Sequence, residues 1–148
     1  MRRFIFPLQQ VLNLRIWEER EKEIALGRVV SERVQLEKQI EDRRRREQEV
    51  FLHRPEGFDM QLLSGIEQFG LRMRSERKEL SRRLEETRRE EEEARKLFLE
   101  VSRKRKVLDK LKERKEESYR KLALKDEQKA LDELGGNRFF LEEEVSPV

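Results

Sequence analysis

From Ile66 onward every seventh residue belongs to one series, Ile66, Met73, Leu80, Thr87, Ala94, Val101, Leu108, Lys115 and Leu122, and most of its members are apolar. Leu84, Phe98 and Tyr119 stand four places after members of that series, so both halves of a heptad are present. A 3.5-residue period puts apolar side chains on a single seam of a helix, and a seam is buried by a second helix. This repeat predicts a long α-helix whose one apolar stripe needs a partner.

Composition agrees with a stripe and excludes a thick core. Only 34% of the 148 residues are hydrophobic, and 47% are Asp, Glu, Lys or Arg. Chains so charged stay disordered unless their few apolar residues gather on one face. Pairs at i,i+4 spacing, among them Glu79 and Arg83, Glu85 and Arg89, Glu91 and Arg95, Glu100 and Lys104, and Glu117 and Lys121, add a few tenths of a kcal/mol each to a helix.

The partner lies upstream. Pro7 suits a first helical turn, because its fixed φ is helical and its missing N–H costs little there. No proline follows until Pro55. In between, Leu8, Leu12, Leu26, Val29, Leu36, Ile40 and Val50 share one register, with Arg15, Glu19, Lys22 and Arg33 at intervening seam positions. The segment from His53 to Asp59, with Pro55 and Gly57, reads as a turn. Gly135, Gly136 and Asn137 read as a helix stop. The expected organisation is an N-terminal arm over 1–7, a first helix over 8–53, a turn over 54–59, a second helix over 60–134 and a tail over 135–148. The fold class is therefore all-α, a long two-helix antiparallel coiled-coil hairpin.

The arms are unequal. Reflection about a turn near Glu56 sets Leu8 opposite Arg105 and leaves the second helix overhanging by roughly 30 residues, or about 45 Å. That overhang carries Leu108, Leu111, Tyr119, Leu122, Leu131 and Leu134, apolar surface that calls for an outside partner.

No residue pattern suits catalysis, a cofactor or a metal, and a non-enzyme is expected. His53 is the single histidine, and no cysteine exists to join it in a site. Glu90 to Glu93 point around the whole helix circumference and do not converge on one ion. Basic and acidic residues, 36 and 33, are interspersed, which opposes nucleic-acid binding despite a pI near 9.3. Two basic runs, Arg43 to Arg46 and Arg103 to Lys106, read either as solvated surface or as docking patches for an acidic surface. Nothing approaches the roughly 20 apolar residues of a membrane helix. No signal peptide opens the chain, so no direct membrane insertion and a cytoplasmic location are expected.

Phe4, Phe6, Leu8, Val11, Leu12 and Arg15 at the start, the interruption near the middle, and Glu127, Gln128, Lys129, Asp132 and Glu133 late in the chain together resemble the FliJ family. These are the small coiled-coil proteins of the bacterial flagellar type III export apparatus. The resemblance covers nearly the whole chain and implies a non-enzymatic stalk that inserts into the hexameric ring of the export ATPase, FliI. It also implies contact with the export-gate protein FlhA, help to export chaperones, and a position at the flagellar base, peripheral to the inner membrane. The residues it implies for ring binding are Leu12, Arg15, Leu108, Leu111, Tyr119 and Leu122. For gate binding they are Phe69 and Met73, with Gln35 and Gln39 on the first helix. There the sequence departs from the family's pattern, with Arg43 to Arg46 where aromatic residues are more usual.

Other readings share the same helices: the stalk of a virulence-type injectisome, a free coiled-coil scaffold that homodimerises, or a nucleic-acid binder.

Overall fold

The computed structural model describes residues 3–53, Gly57 and 59–145, with side chains as far as Asn137. Two α-helices, α1 (Gln9–Leu52, 44 residues) and α2 (Met60–Val145, 86 residues), make up the fold, and no strand occurs among the described residues. Residues 54–56 and 58 of the expected turn, and the last three of the expected tail, lie outside the described residues.

Local chemistry explains where the helices start and stop. Before α1, Phe6 accepts a hydrogen bond from the Gln9 N–H, and the Leu12 N–H bonds to Leu8. Pro7, with no N–H of its own, sits in that turn at no cost. At the other end the His53 N–H and its ring Nδ1 both meet the Glu49 carbonyl, closing the last turn. Gly57 follows with φ at +153°, a conformation that side-chain-bearing residues rarely adopt. Asp59 caps α2: its Oδ1 accepts the Gln61 N–H at 3.0 Å and its carbonyl accepts the Leu63 N–H.

The far end of α2 departs from expectation. The helix passes through Gly135 and Gly136 and continues to Val145, so 135–145 are helical and not a tail. Glycine permits the left-handed conformation that ends a helix but does not impose it. Its cost inside a helix, about 1 kcal/mol relative to Ala, is one that a run of good helix formers upstream can carry.

Two units make up the chain. Trp17–Ser102 forms one, called here the turn unit; Met1–Ile16 with Arg103–Val148 forms the other, the terminal unit. In the turn unit the two helices run antiparallel, as the ion pairs Arg33–Glu91 (2.7 Å), Arg43–Glu76 (2.9 Å) and Glu47–Arg74 (3.0 Å) show, because positions advance on α1 as they retreat on α2. Its α1 seam is Lys22, Leu26, Val29, Arg33, Leu36, Ile40, Arg43, Glu47 and Val50, all buried or half-buried at alternating spacings of three and four. Its α2 seam holds Ile66, Met73, Leu80, Thr87, Ala94 and Val101, with Gly70, Arg77, Leu84, Glu91 and Phe98 between them. Leu36, Leu80 and Leu84, with Ile40 against them, are the apolar centre.

Pairing differs from a reflection about Glu56. The ion pairs put the mirror point at Gln61 and Leu62, so each α1 residue faces a position further along α2 than the turn's location suggests. The early turns of α2 consequently extend past the level at which α1 ends.

Candidate protein-docking surfaces

The terminal unit is built on aromatic and leucine contacts. Phe4 lies against Tyr119, ring centroids 5.5 Å apart and planes tilted by 52°. Phe6 and Leu12 are buried, Leu12 with only 2% of its surface exposed. Arg15, Leu108, Leu111 and Tyr119 are half-buried. The N-terminal arm is therefore packed structure: its phenylalanine reaches a residue well beyond Arg105, the expected partner of Leu8. More of α2 is covered than reflection about Glu56 implies.

Beyond Tyr119 the cover ends. Ala123 is half-buried, while Leu122 is 61% exposed and every described side chain from Leu124 to Asn137 is exposed, including Leu124, Leu131 and Leu134. In this unit the half-buried positions of α2 are Arg105, Leu108, Asp109, Leu111, Lys112, Glu116, Tyr119 and Ala123. The series from Ile66 passes through Leu108 and then leads to Lys115 and Leu122, both exposed. That series is the seam in the turn unit and has drifted off it here, as a straight helix does against a strict seven-residue repeat. Of the six residues implied for ring binding, five lie on or beside buried structure, and Leu122 alone stands open.

The four residues implied for gate binding fall in two places. Met73 is 2% exposed and belongs to the seam, and Phe69 is half-buried with the Arg72 guanidinium 5.8 Å from its ring centroid. Gln35 and Gln39 are exposed on α1, near the level set by Arg33–Glu91 and Glu37–Arg88. Gln39 is thus level with about Leu84, roughly 16 Å along the axis from Met73. The fold does not bring the two pairs together.

Sequence reasoning passed over an apolar patch at the turn end of the hairpin. Phe51, Leu52, Met60, Leu62 and Leu71 are all exposed there, Leu52 by 81%. Phe51 and Met60 line a shallow groove with Leu63, Ser64, Ile66 and Glu67. The available signal was that Phe51, Leu52, Leu62 and Leu71 fall outside both heptad registers, so no intrachain partner was assigned to them. Charge partners across the seam also escaped notice. Glu91, buried, takes Arg33 at 2.7 Å and Arg95 at 3.3 Å, and Glu47 accepts both Arg74 and Arg77. Arg33, hydrogen-bonded to Glu37 and beside Glu91, is held even more firmly in its charged form.

These surfaces present leucine, phenylalanine and ion pairs, with no group of three or more His, Cys, Asp or Glu placed to hold a metal among the described residues. The model for the flagellar FliJ protein family matches residues 4–144, which spans the buried Phe6 and Leu12, both helices and the bare end of α2. The chain belongs to the FliJ family. FliJ proteins are non-catalytic coiled-coil components of flagellar export, and the two-helix antiparallel fold is what that membership leads one to expect. No curated protein and no solved structure matches the chain. No helix is long and apolar enough to cross a membrane among the described residues.

Proposed function

We propose that this FliJ-family chain is the coiled-coil stalk of a flagellar type III export apparatus, binding the hexameric ring of a FliI-like export ATPase with its terminal unit and a FlhA-like export gate with its turn unit. It performs no chemistry. It couples the state of the ring to loading at the gate by making contacts that differ as the ring subunits change conformation, and it assists chaperones in delivering cargo. Its place is the cytoplasmic face of the flagellar base, peripheral to the inner membrane.

The observation that carries the reading is the bare end of α2. Leu122, Leu124, Leu131 and Leu134 are exposed on a stretch of helix that nothing among the described residues covers, and exposed apolar surface on that scale supports a partner there. On this reading Leu122 meets the ring directly and Arg15, Leu108, Leu111 and Tyr119 form the edge of the contact. Leu12 holds the N-terminal part of α1 in place beneath them. Phe69 with the turn-end patch is one half of the gate surface, Gln35 and Gln39 the other, and Met73 supports Phe69 from within.

The test is the hydrolysis rate and oligomeric state of the cognate export ATPase with and without the full chain. Stimulated hydrolysis with a stabilised hexamer is the expected result. An ATPase that is active alone but neither binds nor responds to the chain overturns the ring contact.

A further inference from the structure

Between Arg103 and Lys125 the sequence holds eleven Lys or Arg against four Asp or Glu, so the remainder of the chain is net acidic and its positive charge is concentrated here. The structure sorts that charge by face. At 100° per residue, Arg103, Lys106, Lys110, Arg114, Lys121 and Lys125 fall on one stripe of α2, diametrically opposite the seam marked by Lys112 and Tyr119. All six are exposed. Lys121 has a loose pair with Glu117 at 3.6 Å, both side chains about 70% exposed, which is worth little in water. The side chains of the other five make no ion pair or hydrogen bond among the described residues, whereas some neighbours off the stripe do, as Arg105 with Asp109 and Arg120 with Glu116. Elsewhere several arginines, Arg33, Arg43, Arg82 and Arg95 among them, are matched with carboxylates. Five of the six side chains in this row are not.

We infer that the stripe is a docking surface for an anionic phospholipid bilayer, on which the terminal unit lies by charge alone and without insertion. Shape selects this occupant. The six cations stand in a row about 33 Å long on one face of a helix. One plane touches all of them at once, within the roughly 10 Å over which charges act at 0.1 M salt. A duplex nucleic acid curves away from a straight rod and meets fewer of them, and no aromatic residue lies in the row to stack on a base. A protein partner is normally anchored by apolar residues at the centre of its contact. Along this stripe the exposed apolar residues are Val107, 67% exposed, and Leu124, 64% exposed, and neither stands at the centre of the row. The inference concerns the unaided chain and does not rest on the ring contact, so either stands if the other fails.

The experiment is flotation of the full chain with vesicles of phosphatidylcholine alone or with roughly 30 mol% phosphatidylglycerol, at about 0.1 M and about 0.5 M salt. Binding is expected to the anionic vesicles only, and to vanish at the higher salt. Each cation near an anionic surface strengthens binding about five-fold, so Lys106→Gln, Lys110→Gln and Arg114→Gln together are expected to weaken it about 100-fold. A control with the same charge change, Arg82→Gln, Arg83→Gln and Arg88→Gln, is expected to bind within a few-fold of the unaltered chain. Circular dichroism checks that both triples keep their helix, and if the stripe triple loses it, the salt and lipid series on the unaltered chain decides. Equal binding to neutral vesicles, no binding to anionic ones, or an equal loss in the control would each overturn the proposal. Tighter binding to a 30-base-pair DNA duplex than to anionic vesicles at the same salt, about 0.1 M, overturns it in favour of nucleic acid.

Discussion

Leu12 and Leu122 are the same residue type in the same unit, and their surroundings give them opposite roles. Leu12 is buried, and truncating it to Ala removes packed methyl groups and leaves a cavity, at a cost of about 2–4 kcal/mol. Leu122 is open to water, so Leu122→Asp is expected to change unfolding free energy by less than about 0.5 kcal/mol while weakening association with the ATPase ring. Chemical denaturation of the two variants beside a ring-binding assay separates them, and equal losses of stability and binding in Leu122→Asp would make that leucine merely structural. Gly70 makes a third case. It is buried in the α2 seam, yet a Cβ built there would stand 3.9 Å from Glu47 Oε1, an ordinary contact. Gly70→Ala should therefore stabilise the hairpin by about 0.5–1 kcal/mol through helix propensity, seen as a higher melting temperature.

Each helix taken as an element has a seam polar enough to seem defective, and the charges in it choose the register. A slip of one heptad would leave every apolar position on the seam, so hydrophobic burial alone discriminates poorly between alignments. Such a slip carries Arg33 from Glu91 to Leu84 or Phe98, and carries Glu47 from Arg77 to Gly70 or Leu84, stranding charge in the seam in both directions. Desolvated charge without a partner is far more costly than a mispaired leucine. Charge reversal at Arg33→Glu or Glu91→Arg alone is accordingly expected to lower the melting temperature, and the two together to recover much of the loss in a double-mutant cycle. On the outer faces, Arg44 hydrogen-bonded to Glu41 and Arg82 to Glu79 hold those carboxyls below the usual carboxylate range. Since their pKa values are lower folded than unfolded, the unfolded chain binds protons first. The contribution is full above the ordinary carboxylate pKa and disappears as pH falls through the folded values. Thermal melts across the acid range should show this loss, and Glu79→Gln should reduce its size.

At the scale of the whole molecule, a chain of 148 residues with a third of them hydrophobic builds two helices, leaves leucines bare at the far end of α2, and leaves a phenylalanine and leucine patch at the turn. That apolar material lies on outward surfaces, in a chain that belongs to the FliJ family over residues 4–144. The register leads to a direct distance test. Spin labels at Gln35 and Arg89 should be closer than labels at Gln35 and Lys78, because Arg33 faces Glu91 and Glu37 faces Arg88. The opposite order would restore a mirror point at Glu56.

Much of this was legible in the residues themselves. The repeat from Ile66, the α1 series from Leu12 to Val50 and the punctuation by Pro55 and Gly57 determine two helices, their antiparallel sense and the polar middle of the first seam, since burial period and backbone restriction are local properties. Local information runs out at alignment, because a seven-residue repeat looks the same after every slip of seven. Only the tertiary structure decided that Arg33 meets Glu91, that Phe4 reaches Tyr119, and that α2 carries on through Gly135 and Gly136. Those choices depend on which long-range partners satisfy a charge or cover a ring, and they also decide which leucines and lysines remain uncovered for something else to bind.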